Sequence, residues 1–371
     1  MGKIYTALGL MSGTSMDGVD ASVIQTDGKS KYKSILDKYF EYPENIYKNL
    51  TLLRDKIKSA KDLKKHQKKI KTIEKEITIF HAKAVDEVLK KTRVNVDFIG
   101  FHGQTIFHNA EEKITKQIGD GKFLSKLTKK KVVYDFRQND LKNDGQGAPL
   151  TPIFHKLLVK TKNIDLPVCI INLGGIANIT VLKSYNSDNL AIDSLISSDI
   201  GPGNCLIDEW IRKKTKKKYD NKGLIAKSGK INQNVLTKEI SKINQNEQNI
   251  TFDIKDFDLS FVKNLSLEDG AATLTEFTVQ LILSDIKFAK EIKSKIILCG
   301  GGRKNKFLIQ KLKKIYSHIK LIDYYGVDGD FVESQAFAYL AIRSFLKLPI
   351  SFPKTTGCKK ACTGGVLVKN Y

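Results

Sequence analysis

Two periodicities of apolar positions organise the chain. Residues 4–27 hold two apolar runs, IYTALGLM and VDASVIQT, around the small and polar stretch Ser12-Gly13-Thr14-Ser15-Met16-Asp17-Gly18. This predicts a β-hairpin with a long polar loop. Residues 42–91 switch to helical spacing with lysines on the opposite face. His66 and His81 fall here and read as surface or core residues rather than ligands. VNVDFIG (94–100) reads as a strand that delivers Phe101-His102-Gly103-Gln104-Thr105 just past its end, where ligands sit in α/β sheets. KVVYDF (131–136) is a further strand, followed by the loop NDGQGAP (143–149) and the helix TPIFHKLLVK.

PVCIINLGGIANITVLK (167–183) repeats the arrangement of strand, glycine-bearing turn and strand, around Asn172-Leu173-Gly174-Gly175. SDIGPGN (198–204) predicts a loop carrying Asp199, and CLIDEWIRKK a helix. Residues 222–249 are polar, predicting loop and short helices, and residues 268–287 form a long helix. KIILCGGG (295–302) is a buried strand running into three glycines and then a helix over 303–315. Residues 331–347 are a strongly apolar helix with Glu333 near its start, and the tail TTGCKKACTGGVLV is strand-like and returns to the first domain. Two such hairpins imply a duplicated α/β protein of two lobes with a cleft between them. The division falls near residue 133, giving residues 1–132 plus 346–371 as one lobe and 133–345 as the other.

Composition narrows the class. At 371 residues the chain is long enough for two cored domains, and 41% hydrophobic with 28% charged content is that of a soluble globular protein. No apolar run has the length of a membrane span, and the N-terminus lacks a signal-peptide pattern. Met1-Gly2-Lys3-Ile4-Tyr5-Thr6 fits the loose myristoylation pattern, but Ile4 onward reads as a buried strand. The net charge of +23 suggests nucleic acid, yet only six of the 63 basic residues are arginine. Arginine's planar fork and interleaved aromatics would be expected of a nucleic-acid reader, so the lysines read as a solvated surface. The five cysteines, Cys169, Cys205, Cys299, Cys358 and Cys362, include no C-x-x-C pair. That argues against a disulfide framework or a zinc site and fits a reducing cytoplasm.

The candidate chemistry centres on the turns. Glycine-loop N–H groups can converge on phosphate oxygens, Thr14 and Ser15 add hydroxyls, and Asp17 and Asp20 can hold a cation and its waters. Gly13-x4-Gly18 is not a Walker loop, because Val19-Asp20 stands where Lys-Ser/Thr is required. Three glycines after a strand let a nucleotide lie against the backbone, although a tight strand-to-helix turn would use the same residues. Asp199 reads either as a site carboxylate or as a turn or N-cap aspartate. Glu333 either suits its helix dipole or faces the cleft.

The two-hairpin plan resembles the actin, heat-shock-70 and sugar-kinase superfamily, a two-lobed actin-like (ribonuclease-H-like) ATPase fold with a central inter-domain cleft. Within it, GLMSGTSMDGVD (9–20), FHGQT (101–105), DFRQND (135–140), GQGAPLTPIFH (145–155), INLGGIANIT (171–180), DIGPGNCLIDEW (199–210), ATLTEFT (272–278), CGGG with Asn305, and ESQAFAYLA (333–341) resemble the anhydro-N-acetylmuramic acid kinases. These motifs follow the family's order along nearly the whole chain.

The resemblance implies an ATP-dependent enzyme that opens 1,6-anhydro-N-acetylmuramic acid with water and phosphorylates it at O6, in cell-wall recycling. The alternative is a kinase of the same fold for another hexose or amino sugar. It implies Asp199 as general base with Glu333 as its helper. Residues 13–20 (Gly13, Thr14, Ser15, Met16, Asp17, Gly18, Val19, Asp20) would bind ATP phosphates, with Mg2+ reached through water by Asp17 or Asp20. Gly174, Gly175, Gly300, Gly301 and Gly302 would line the nucleotide, and His102, Gln104, Asp135, Arg137 and Gln146 would meet the sugar. For His102 and Gln104 a merely hydrogen-bonded loop is the other reading. The expected partners are the sugar and ATP, with no nucleic acid and no membrane; oligomeric state, a homodimer included, stays open. Asp144 stands where the family usually has glycine, and Ser198 and Ile200 where it has phenylalanine and threonine.

Overall fold

The computed structural model describes residues 2–183, 194–244, 251–287 and 294–369, so the predicted loop and helices over 222–249 lie outside the described residues beyond 244. The chain forms two compact units, Met1–Ile164 with Asp330–Tyr371, and Asp165–Gly329.

The first unit opens with β1 (Tyr5–Ser12) and β2 (Gly18–Thr26), the predicted hairpin, followed by β3 (Tyr32–Glu41). Helices α1 (Glu44–Lys56), α2 (Ala60–Lys65) and α3 (Gln67–Lys91) fill the predicted helical region. Then come β4 (Phe98–Asn109), β5 (Ile114–Ile118), α4 (Gly121–Thr128), β6 (Lys131–Tyr134), α5 (Gln138–Lys142) and α6 (Pro152–Thr161). β1, β2 and β3 are an antiparallel meander, β4 is parallel to β1, and β6 is parallel to β4.

Side chains of this sheet alternate cleanly. Leu8, Leu10, Val19, Ala21, Val23, Ile99 and Phe101 pack with Ile73, Ile77, Val85 and Val88 of α3 in one core. The intervening positions, Gly9, Ser22 and Gly100, face the other way, as the two-residue period of a strand requires.

The second unit repeats the plan. β7 (Val168–Leu173), β8 (Ile176–Leu182) and β9 (Leu195–Pro202) are an antiparallel meander. Helices α7 (Cys205–Lys214), α8 (Leu224–Ser228), α9 (Gln233–Asn244) and α10 (Leu267–Asp285) follow. β10 (Lys295–Cys299) runs parallel to β7, α11 (Lys306–Ile315) follows, and β11 (Lys320–Leu321) is parallel to β10. The order β9-β8-β7-β10-β11 matches β3-β2-β1-β4-β6 of the first unit. This is the duplication the two hairpins predict. Trp210, Ile211, Leu274, Phe277 and Ile282 of the helices close over Ile171, Leu173, Ile179 and Val181 of the sheet.

The chain then returns to the first unit as α12 (Val332–Phe345), α13 (Pro353–Thr356) and β12 (Val366–Val368), which pairs antiparallel with β6. α12 lies directly on the sheet. A Cβ at Gly9 would sit 1.8 Å from the Ser334 carbonyl, and one at Gly100 2.2 Å from that of Phe337. Only glycine lets backbone meet backbone there. The divisions between compact units therefore fall elsewhere than at 132/133 and 345/346. The first of those cuts strand β6, and the second follows a helix that is packed on β1, β2 and β4.

Two further expectations change. FHGQT lies inside β4, not beyond a strand end, because the strand continues to pair with β5 through a register shift between Thr105 and Phe107. SDIGPGN is mostly strand: β9 is the edge of its sheet, where a terminal proline such as Pro202 is tolerated. β3 is another edge strand, with Ile35, Leu36 and Phe40 against the core and Lys33 and Glu41 exposed. All five cysteines are free and buried. No described helix is long and apolar enough to cross a membrane.

Candidate active site

In the first unit the turn between β1 and β2 is shaped by its own sequence. Met16 N–H donates to the Gly13 carbonyl (3.1 Å), and Met16 itself is left-handed at φ 59° with its side chain in the core. Val19 is likewise a core side chain, so both residues offer a ligand only backbone. Gly18 is required by packing, since a Cβ would lie 2.4 Å from the Phe40 carbonyl. Gly13 is different: its nearest neighbour is the Ser15 hydroxyl at 3.9 Å, which leaves room beside the backbone. Ser15 donates to Asp17 (2.5 Å), fixing that carboxylate on the turn. Asp17 and Asp20 are both half-buried.

Two buried polar residues hold this turn from beneath. Gln104 donates through Nε2 to the Gly13 carbonyl (3.0 Å), while its Oε1 is buried without a hydrogen-bond partner among the described residues. Ser12 joins Tyr42 (2.8 Å) and His81 Nε2 (3.4 Å), and His81 Nδ1 donates to the Ile77 carbonyl (2.7 Å). Burial pulls His81 down to about 4, so the ring stays neutral. His81 is thus a core residue, as one of its two readings had it.

A second group in the same unit forms around Arg137. Its Nε and Nη2 donate to His102 Nε2 at 3.1 and 3.0 Å, and Nη1 donates to the Gly147 carbonyl at 2.7 Å. His102 Nδ1 in turn donates to the Gly103 carbonyl (2.8 Å). One ring nitrogen accepts and the other donates, so only the neutral tautomer satisfies both contacts. Burial and the Arg137 charge agree, holding His102 well below the usual histidine range. The Gln146 N–H is tied to the Thr356 carbonyl (2.7 Å). Asp135, left-handed at φ 58°, is pushed up by burial against the pull of Lys142 and Lys116. Glu333, in the first turn of α12, is likewise pushed up by burial, with Arg137 opposing. The structure thus joins His102, Arg137 and the Gln146–Gly147 loop, and brings Arg137 within electrostatic reach of Glu333.

Asp144 is left-handed at φ 63°, the conformation for which glycine is the ordinary residue. Lys113 and Lys359 both pair with it and hold it down to about 2.

In the second unit the Gly174-Gly175 turn is bound by the exit of β9. Asn204 N–H donates to Gly174 (2.9 Å), and Gly203 and Cys205 N–H donate to Gly175 (2.9 and 3.1 Å). The Asn204 side-chain amide donates to the Leu173 and Gly174 carbonyls. Of the three glycines after β10, Gly300 has φ 80° with a Cβ position 2.3 Å from Asn172 Oδ1, and Gly302 meets Asn204 Nδ2 at 2.3 Å. Gly301 alone has nothing within 4 Å. Arg303 anchors this turn, pairing with Asp323 and Asp328 at 2.8 and 3.0 Å and donating to the Gly300 carbonyl at 3.2 Å.

Asp199 sits on a β-bulge. Gly201 pairs with Ala177 and Asp199 with Asn178, which leaves Ile200 as an extra residue with its side chain in the core. Bulges of this kind re-aim a neighbouring side chain and are frequent beside active sites. Asp199 Oδ2 accepts the Phe252 N–H (2.9 Å), so the carboxylate is held by backbone and is neither a turn nor an N-cap residue. The Asn178 Oδ1 opposite is buried with no hydrogen-bond partner among the described residues. Sequence reasoning missed Asn178, Asn204, Phe252 and Arg303. Only Asn204, directly following Pro202-Gly203 and opening a helix, carries a recognisable signal.

A five-stranded order used twice, with one glycine turn heading each copy and no Walker loop, is the plan of the actin-like sugar kinases. The profile of the anhydro-N-acetylmuramic acid kinases matches residues 5–370. The chain belongs to that family. Its relative from Pelagibacter ubique, an anhydro-N-acetylmuramic acid kinase, is 56% identical over 380 residues, covering 100% of both chains. That from Zymomonas mobilis is 39% identical over 372 residues, 97% of this chain and 98% of its own.

Proposed function

We propose that this chain converts 1,6-anhydro-N-acetylmuramic acid, ATP and water to N-acetylmuramic acid 6-phosphate and ADP, in the cytoplasmic recycling of cell-wall sugar. What carries the reading is the family match from residue 5 to residue 370, with relatives of the same length bearing that one activity. The hydrolytic step needs a base. Asp199 takes a proton from water as the water oxygen attacks C1, and the C1–O6 bond of the anhydro bridge breaks. O6 then takes the γ-phosphoryl group, and the bond to the ADP oxygen breaks.

Glu333, whose proton is held more tightly by burial, assists at the bridge oxygen. Arg137, pre-oriented by His102 and Gly147, suits the lactyl carboxylate by charge and fork geometry. His102, Gln104, Asp135 and Gln146 complete the sugar side. Gln104 contributes the buried Oε1 that has no hydrogen-bond partner among the described residues.

Gly13 and Gly301 have the open space that a phosphate or nucleotide needs beside a backbone. The turn 13–20, Gly174, Gly175 and Gly300 to Gly302 bind ATP. Asp17 or Asp20 would hold its Mg2+ through water, and that ion would supply charge neutralisation at the phosphates.

The test is an assay with ATP, Mg2+ and anhydro-N-acetylmuramic acid in 18O water. A 6-phosphate carrying 18O at C1 is expected. A phosphorylated product without the label, or no product from this sugar while another hexose is phosphorylated, overturns the proposal.

A further inference from the structure

Three donor side chains, one of them far from the other two in the sequence, converge in the first unit, beneath the Gln146–Gly147 loop that holds Arg137. Asp140 on α5 meets Cys358 and Cys362, which flank the turn after α13. One carboxylate oxygen and the two Sγ atoms all lie within 4.8 Å of one another. Asp140 is 1% exposed, Cys358 1% and Cys362 7%. The C-x3-C spacing carries no zinc signature by itself. The third donor comes from 222 positions away, which is why a zinc site reads as absent from the sequence.

The surroundings are those of a ligand set rather than an ion pair. Asp140 Oδ1 accepts from the Thr356 hydroxyl (2.7 Å) and lies 3.7 Å from Cys362 Sγ, and Oδ2 accepts the Gly147 N–H (2.7 Å). The Ser351 hydroxyl is 3.0 Å from Cys362 Sγ. Among the described residues, the groups that hydrogen-bond to this buried carboxylate are a backbone N–H, a hydroxyl and a thiol, all neutral. An anion buried without a cation is costly.

A divalent cation would give this buried carboxylate a charged partner. Bonds of about 2.0 Å to oxygen and about 2.3 Å to sulfur in tetrahedral geometry put an oxygen and a sulfur ligand about 3.5 Å apart. The observed 3.7 Å between Oδ1 and Cys362 Sγ needs only a small contraction.

We propose that Asp140, Cys358 and Cys362 form a structural Zn2+ site, with water as fourth ligand, that ties the C-terminal segment to α5 and the Gly145–Gly147 loop. Binding replaces two S–H bonds with two Zn–S bonds and releases two protons to solvent. Thr356 and Gly147 orient the carboxylate, and Ser351 donates to the Cys362 thiolate, the supporting shell that ligands of this kind require.

The experiment uses the full chain, stripped of metal by chelator and titrated with Zn2+ against a chromophoric competitor and, separately, with Co2+. One equivalent of Zn2+ and a thiolate-to-cobalt charge-transfer band are expected, with two protons released. Cys358→Ser should weaken Zn2+ at least tenfold, and Thr356→Val by about 10-fold or more. Cys169→Ser, in the other unit, should leave the band intact. Melting of each metal-free variant checks that it folds, and Cys358→Ala replaces Cys358→Ser if that variant does not. Absence of the cobalt band, full affinity in the Cys358 variant, or a Cys358–Cys362 disulfide in protein purified under reducing conditions overturns the site.

Discussion

At the scale of single residues, three glycines in one motif do different jobs. Gly300 and Gly302 are glycines because Asn172 and Asn204 occupy the space a Cβ would need, whereas Gly301 has open space. Gly300→Ala should therefore lower stability by roughly 1–3 kcal/mol through left-handed strain and overpacking. Gly301→Ala should leave the melting temperature unchanged while raising the KM for ATP. Equal melting losses in the two variants would contradict this. Asp199→Asn keeps the hydrogen bond from Phe252, since an amide oxygen still accepts, but cannot take a proton. The fall in kcat should be about 10²–10⁴-fold with circular dichroism unchanged. Asp144 shows what the sequence concealed: its departure from the family glycine is a left-handed residue held by Lys113 and Lys359. Asp144→Gly should then leave the melting temperature nearly unchanged, the loss of exposed ion pairs being offset by relief at φ 63°.

At the scale of elements, legibility followed burial. The hairpins β1–β2 and β7–β8 were plain because both faces of β1 and β7 are covered, which leaves uninterrupted apolar runs. β3 and β9 were not, because edge strands show charge, serine, glycine and proline, the same residues that mark turns. Missing β9 also misassigned the setting of Asp199, whose bulge is invisible without knowing the register against β8. The partner of the Ser22 hydroxyl, Ser334 at 2.6 Å, was equally hidden, since 312 positions separate them. The seat of α12 is the most demanding contact in the first unit. Gly9→Ala or Gly100→Ala must displace the helix that carries Glu333, so each should lose at least about 1–3 kcal/mol and kcat together. Urea melts and kinetics on one preparation check whether the two losses track.

At the scale of the whole molecule, the buried histidines set a direction for pH. Burial holds His81, His108 and His155 at about 4 instead of 6.5, and holds His102 well below 6.5. The unfolded chain binds protons at these sites below about 6.5 and the native state does not. Stability must therefore fall as pH drops from 6.5 toward 4, by about 1.4 kcal/mol per pH unit for each histidine. All four lie in the first unit. Asp285 in the second unit is pushed up to about 6 by burial, and Asp135 and Glu333 in the first unit are pushed up by burial too; these have the opposite sign and favour the fold as pH falls. Hydrogen exchange at pH 4.5 should rise in β4 and α3 before it rises in β7 and α10. The reverse order would refute the assignment.

The return of the chain also sets an order of assembly during translation. The second unit is one continuous segment and has everything it needs once residue 329 has left the ribosome. The first unit began earlier but cannot close until residues 332–368 have been made, because β12 completes its sheet and α12 covers Gly9 and Gly100. The half made first is finished last, and until then its glycine-lined face is what a nascent-chain chaperone would meet.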